Sequence, residues 1–279
     1  MSDQEVNEMS RFKFGIVEWA LPAEGRYGCE VAHRAGLQGI QVNIGSYETG
    51  YHLSNKEMQR MYLEAGQKWE IEFPSLAVNC LCDIGMTRRE GTKEREIAKQ
   101  SIKIGIDTAQ QMGISLVMLP TFHDGYIKDE EDFRLTVECV REACQYAYDK
   151  NIKIALENVM STDEYFRFKD QVGMGNLGII YDNQNYSVCK GYDDTQIYRE
   201  IRDEVDAIHV KDGFDEMSTH MLGEGGCNFF KTAEEILKSD YSGWIFAENY
   251  FDQLPLREKG DPYELLRQDV ITMKNAFKA

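Results

Sequence analysis

The sequence predicts a closed (β/α)8 barrel, and three observations carry that prediction. Short β-branched or aromatic runs recur eight times along the 279 residues, each followed by a longer segment with helical spacing that ends near glycine. The runs are continuously apolar, as strands of a parallel sheet are when helices cover the outer face. After the first run stands "VEWALPAEGRYG", with no GxGxxG turn to cradle a phosphate, so an open doubly wound sheet is the weaker alternative.

In chain order the predicted strands open with "FKFGIV" (Phe12 to Val17) and "GIQVNI" (Gly39 to Ile44). "FPSLAVN" (Phe73 to Asn79) and "SLVMLP" (Ser115 to Pro120) follow, then "KIALEN" (Lys153 to Asn158) and "LGIIYDN" (Leu177 to Asn183). "AIHV" (Ala207 to Val210) and "GWIFAEN" (Gly243 to Asn249) complete the eight. The clearest helices between them are expected over Glu94 to Gly113, Glu130 to Asn151 and Pro262 to Phe277. With 42% hydrophobic residues, five prolines and no low-complexity linker, residues 1–279 are expected to form a single barrel domain.

Composition excludes several function classes. No apolar stretch approaches the roughly 18–20 residues of a membrane span, and the acidic opening "MSDQEVNEMSRF" does not read as a signal peptide, so the expected location is cytoplasmic. Seven cysteines without a CxxC pair suggest reduced, mostly buried thiols and no thiolate zinc site. A net charge of -17 repels nucleic-acid phosphates and anionic membranes. The expected partner is a small molecule, with a homo-oligomer left open.

In such a barrel the reacting groups sit at the C-terminal ends of the strands. Glu157, Asp182, His209 and Glu248 end strands five to eight. A single acid or imidazole there reads most simply as a cap or a hydrogen-bonded core residue, but four neighbouring strands share the pattern, and buried charges are costly unless paired or liganded. Three hard oxygens and one imidazole nitrogen form a ligand set for one divalent cation, Mn²⁺ first, with Mg²⁺, Co²⁺ or Zn²⁺ as alternatives.

The motifs "ALEN", "YDNQN", "AIHVKD", "LGEGGCNFF" and "IFAEN", in that order, resemble the xylose-isomerase-like barrels of sugar isomerases and epimerases, in particular the L-ribulose-5-phosphate 3-epimerase and hexulose-6-phosphate isomerase type. "FGIVEWAL" and "FPSLAVN" resemble that family's first and third strands. Free-sugar 3-epimerases carry His and Arg where this chain has Asn185 and Asp215, and the loop "NCLCDIGMTRREG" lacks the His/Arg stretch of phosphopentose epimerases. Endonuclease IV, a related branch, needs more histidines than the five present.

The resemblance implies a metal-dependent epimerisation or isomerisation of a ketose sugar or sugar phosphate through an enediolate, with Glu157 and Glu248 exchanging the proton and also binding the metal. Asn185 and Lys211 are then expected at the substrate, as are Glu18 and Trp19 after strand one, His123 after strand four and Glu224 in "GEGG". A lyase of inosose-dehydratase or oxo-glycoside-cleaving type, which expels a leaving group from the same enolate, and a non-catalytic sugar-binding barrel are the alternatives.

Overall fold

The computed structural model describes residues 11–278. Its eight strands are β1 (Phe12–Val17), β2 (Gly39–Asn43), β3 (Ser75–Ala77), β4 (Leu116–Pro120), β5 (Lys153–Glu157), β6 (Leu177–Asp182), β7 (Val205–Val210) and β8 (Gly243–Ala247). They pair in parallel in sequence order, and β1 returns to β8 to close the barrel. The predicted order therefore stands, with trimmed edges: β3 keeps three residues of the seven expected, and β7 begins two residues earlier than expected.

The helices are α1 (Gly28–Ala35), α2 (Lys56–Trp69), α3 (Lys93–Met112), α4 (Glu130–Tyr148), α5 (Thr162–Val172), α6 (Asn185–Lys190), α7 (Asp194–Ile201), α8 (Phe229–Lys238) and α9 (Pro262–Ala276). Their ends follow local chemistry. Ser161 and Glu164 form a reciprocal capping box on α5, and Asp261 caps α9 with Pro262 in its first turn. The helix α3 lays Ile97, Ile102 and Ile106 inward against β3 and β4, each burial contributing roughly 1.5–3 kcal/mol. It approaches closely at Gly105, where a Cβ would lie 2.7 Å from Val78 Cγ2. No helix among the described residues is long and apolar enough to cross a membrane.

Register sets the height of the strand ends. Asp182 lies beside His209, and Pro120 beside Glu157. One irregularity precedes that pairing: Ile179 faces Val205 while Ile180 faces Ala207, so Asp206 is an extra residue in β7. Gly178 leaves room for the displaced carboxylate, which pairs with Lys153.

Candidate active site

Four polar side chains converge at the C-terminal mouth. One ligand atom from each of Glu157, Asp182, His209 and Glu248 lies within 4.8 Å of every other. Their exposures are 4%, 1%, 0% and 3%, so none is solvated enough to carry charge without partners. Backbone bonds fix the scaffold beneath them: Thr121 N–H donates to Glu157 O at 3.0 Å and Glu248 N–H to Val210 O at 2.9 Å.

Local turns then aim the side chains. Asp182 Oδ1 accepts the N–H groups of Gln184 and Asn185, both at 2.8 Å, an Asx turn that leaves Oδ2 toward the cluster. Asn185 Nδ2 in turn donates to Glu157 Oε1 at 3.0 Å, tying the β5 and β6 ends together. Glu248 is held at both oxygens, Oε1 by Trp19 Nε1 at 2.8 Å and Oε2 by Lys211 Nζ at 2.7 Å. The same ammonium lies 3.0 Å from Asp182 Oδ2.

His209 is oriented by a residue that the strand-end argument missed. Gln41, midway along β2, donates from Nε2 to Ser75 Oγ at 2.9 Å, which leaves its Oε1 to accept from His209 Nε2 at 2.7 Å. That network assigns the proton to Nε2 and directs Nδ1 at Glu157 Oε1 (3.3 Å) and Glu248 Oε2 (3.4 Å). The visible signal was an amide inside "GIQVNI", where every neighbouring position reads as core.

The charges reflect this crowding. Burial opposes ionisation of His209, but Glu248 and Glu157 outweigh it and raise the imidazole to about 10. Burial likewise raises Asp182 to about 7, with Lys211 pulling the other way and Glu248 and Glu157 pushing it up. For Glu248 burial is overcome by Lys211 and His209, which hold it far below the usual carboxylate range. Three carboxylate donors and one imidazole nitrogen pointing inward, with a single ammonium among them, fit a divalent cation of hard or borderline character.

Of the six expected substrate contacts, Asn185, Lys211 and Trp19 touch the cluster directly. Glu18 sits beside Trp19, but its carboxylate accepts from Asn43 N–H at 2.7 Å and Tyr62 O–H at 2.5 Å. It lines a cavity of about 600 Å³ together with Trp19 and Asn43. His123 and Glu224 are not brought in. His123 is exposed, with φ 51°, and hydrogen-bonds to none of the four. Glu224 is exposed too and pairs with Lys259 Nζ at 2.7 Å. The buried Asp212 anchors both flanks of the GEGG loop, accepting from Gly223 N–H at 2.8 Å and from Cys227 Sγ at 2.9 Å, while Glu224 between them faces Lys259.

An eight-stranded barrel whose C-terminal mouth gathers two glutamates, an aspartate and a histidine belongs among barrels with a buried polar cluster on one rim. The chain is a member of the xylose isomerase-like TIM barrel family, whose model matches residues 29–273. It is 26% identical over 270 residues, 95% of this chain and 97% of the other, to the 2-epi-5-epi-valiolone 7-phosphate 2-epimerase of Actinoplanes sp.. Among solved structures it superposes on a xylose isomerase domain protein from Planctomyces limnophilus with TM-score 0.75, 17% identity and 96% of both chains covered. IOLI protein, solved with a zinc atom, matches with TM-score 0.75, 16% identity and coverage of 95% and 98%.

Proposed function

We propose that this protein is a divalent-metal-dependent epimerase or isomerase of a ketose sugar or sugar phosphate, working in the cytoplasm through an enediolate. The observation that carries the reading is the convergence of Glu157 and Glu248, 91 positions apart, on one buried point with Asp182 and His209 between them. The phosphate epimerase relative and the zinc in IOLI protein support it. Glu157, Asp182, His209 and Glu248 would hold the metal; when bound it supplies Lewis-acid stabilisation of the negative charge that develops on the substrate oxygens.

The chain's own groups divide the proton work unequally. Glu248 has both oxygens engaged and is held ionised by Lys211 and His209. Glu157 has Oε1 engaged by Asn185 and His209, while its Oε2 makes no hydrogen bond among the described residues. Glu248, held ionised, would be the base that takes a proton from the carbon next to the carbonyl, and Glu157, whose Oε2 is free to carry a proton, the partner that returns one from the other side. Lys211 keeps a fixed positive charge beside the developing oxyanion. Trp19 and the buried setting keep water from the intermediate.

The test is incubation with Mn²⁺ and a panel of pentuloses, hexuloses and their terminal phosphates in D₂O. Metal-dependent deuterium on the carbon beside the carbonyl, in a product isomeric with its substrate, is the expected result. A product lighter by one water moves the chain to the lyase reading. Conversion without label replaces the two-glutamate mechanism by a hydride shift, and no conversion or exchange across the panel sinks the enzymatic reading.

A further inference from the structure

We infer, building on the sugar-isomerase reading, that Arg26 and Tyr27 form an anion clamp for the terminal phosphate of the substrate, which makes that substrate a phosphorylated ketose rather than a free sugar. Both residues lie between β1 and α1, on the wall of the cavity of about 600 Å³ that Glu18, Trp19 and Asn43 also line. Trp19 is shared: its ring borders the cavity and its Nε1 donates to Glu248 Oε1 at 2.8 Å. None of the four cluster residues lines the cavity, so Trp19 is the link: a ligand that passes it to reach the carboxylates would place its far end here.

Arg26 stands apart from every other arginine among the described residues. Thirteen others reach a carboxylate or a backbone carbonyl. The Arg26 guanidinium meets only the phenol of Tyr27, with Nη2 donating to the hydroxyl at 3.3 Å and its carbon 5.2 Å from the ring centre. In a chain with 48 acidic residues, a guanidinium left without a counter-charge in a cavity wall is a site waiting for an anion. Guanidinium and phenol O–H both donate, and a phosphate offers only acceptors.

Two carboxylates share the cavity and have to be weighed against this. Glu18 has its charge engaged by Asn43 N–H and Tyr62 O–H, and Glu24, exposed like Tyr27, forms no ion pair with Arg26 among the described residues. His52, also on the wall, adds a further donor or acceptor for the polyol hydroxyls between phosphate and carbonyl.

The experiment compares wild type, Arg26→Gln and Arg26→Lys on one ketose phosphate and the same ketose without phosphate. The expected result is a wild-type preference in kcat/KM for the phosphate, reduced at least about tenfold in Arg26→Gln through KM and partly restored in Arg26→Lys, the range of one lost charge-assisted hydrogen bond. Equal preference in wild type and Arg26→Gln, or none in wild type, overturns the clamp. A titration with inorganic phosphate at constant ionic strength, read by tryptophan fluorescence, is independent of turnover. Wild type is expected to bind phosphate about tenfold more tightly than Arg26→Gln, and equal binding or none also overturns it. If wild type converts neither ketose the isomerase reading falls, and the phosphate titration alone decides the clamp.

Discussion

The two mouths of the barrel hold cavities of almost the same size, about 580 Å³ at the N-terminal end and about 600 Å³ beside Trp19 at the C-terminal end, yet they are chemically opposite. At the N-terminal mouth the charges stand in opposite pairs: Lys13 meets Glu72 at 2.8 Å, both about half exposed, and the half-exposed Lys153 meets the largely buried Asp206. At the C-terminal mouth three buried carboxylates share one ammonium and one imidazole. Cavity volume does not separate the two ends; unbalanced buried charge does. Such an imbalance is unfavourable for a fold and useful for binding a cation and moving a proton.

The largest effect that would test this contrast is loss of the carboxylate oxygens proposed to transfer the proton. Glu157→Gln and Glu248→Gln are each expected to lower kcat by about 10²–10⁴-fold or more, with an unchanged circular dichroism spectrum. Turnover near wild type in either variant removes that residue from the acid/base pair.

Next comes the support beneath the imidazole. Gln41→Leu takes away the acceptor for His209 Nε2–H, and affinity for Mn²⁺ measured by calorimetry should fall about 10–100-fold. Unchanged affinity would show that packing alone orients the ring.

A smaller, graded effect is expected from pH. The metal-free cluster holds protons on His209, raised to about 10, and on Asp182, raised to about 7. A cation must displace them, so the apparent affinity should climb between pH 6 and 8, by up to about tenfold per pH unit for each proton released. The sign follows because raised pKa values mean that the free form binds protons which the loaded form gives up. A flat profile, with no proton release detected in buffers of different ionisation enthalpy, would contradict the assigned protonation.

The smallest effect belongs to the opposite mouth. A double-mutant cycle on Lys13 and Glu72 should return a coupling of at most about 1 kcal/mol in urea unfolding, as half-exposed ion pairs do, and leave turnover unaltered. A catalytic defect there would erase the distinction between the two ends.

Much of the architecture was legible because its signals are local. A strand buried on both faces has to be apolar throughout, and "KIALEN" or "LGIIYDN" announces itself without knowledge of its neighbours. The placement of Glu157, Asp182, His209 and Glu248 on a common rim needed one further rule, that all parallel strands of a closed barrel end on the same side. Exact limits were less legible: β3 shrinks to Ser75–Ala77 because pairing with both neighbours, rather than residue preference, sets its length.

By itself, then, the sequence determined the eight alternating units and the residue types at the strand ends, since both follow from periodicity within ten or twenty residues. Tertiary structure alone decided which side chains meet. His209 depends on Gln41 168 positions away, and Glu248 on Trp19 229 positions away. It also turned His123 into solvent through a left-handed backbone, and Glu224 toward Lys259 on a loop that Asp212 anchors at both flanks. Hydrogen bonds between distant segments leave no period in the chain, because their partners become neighbours only when the barrel closes.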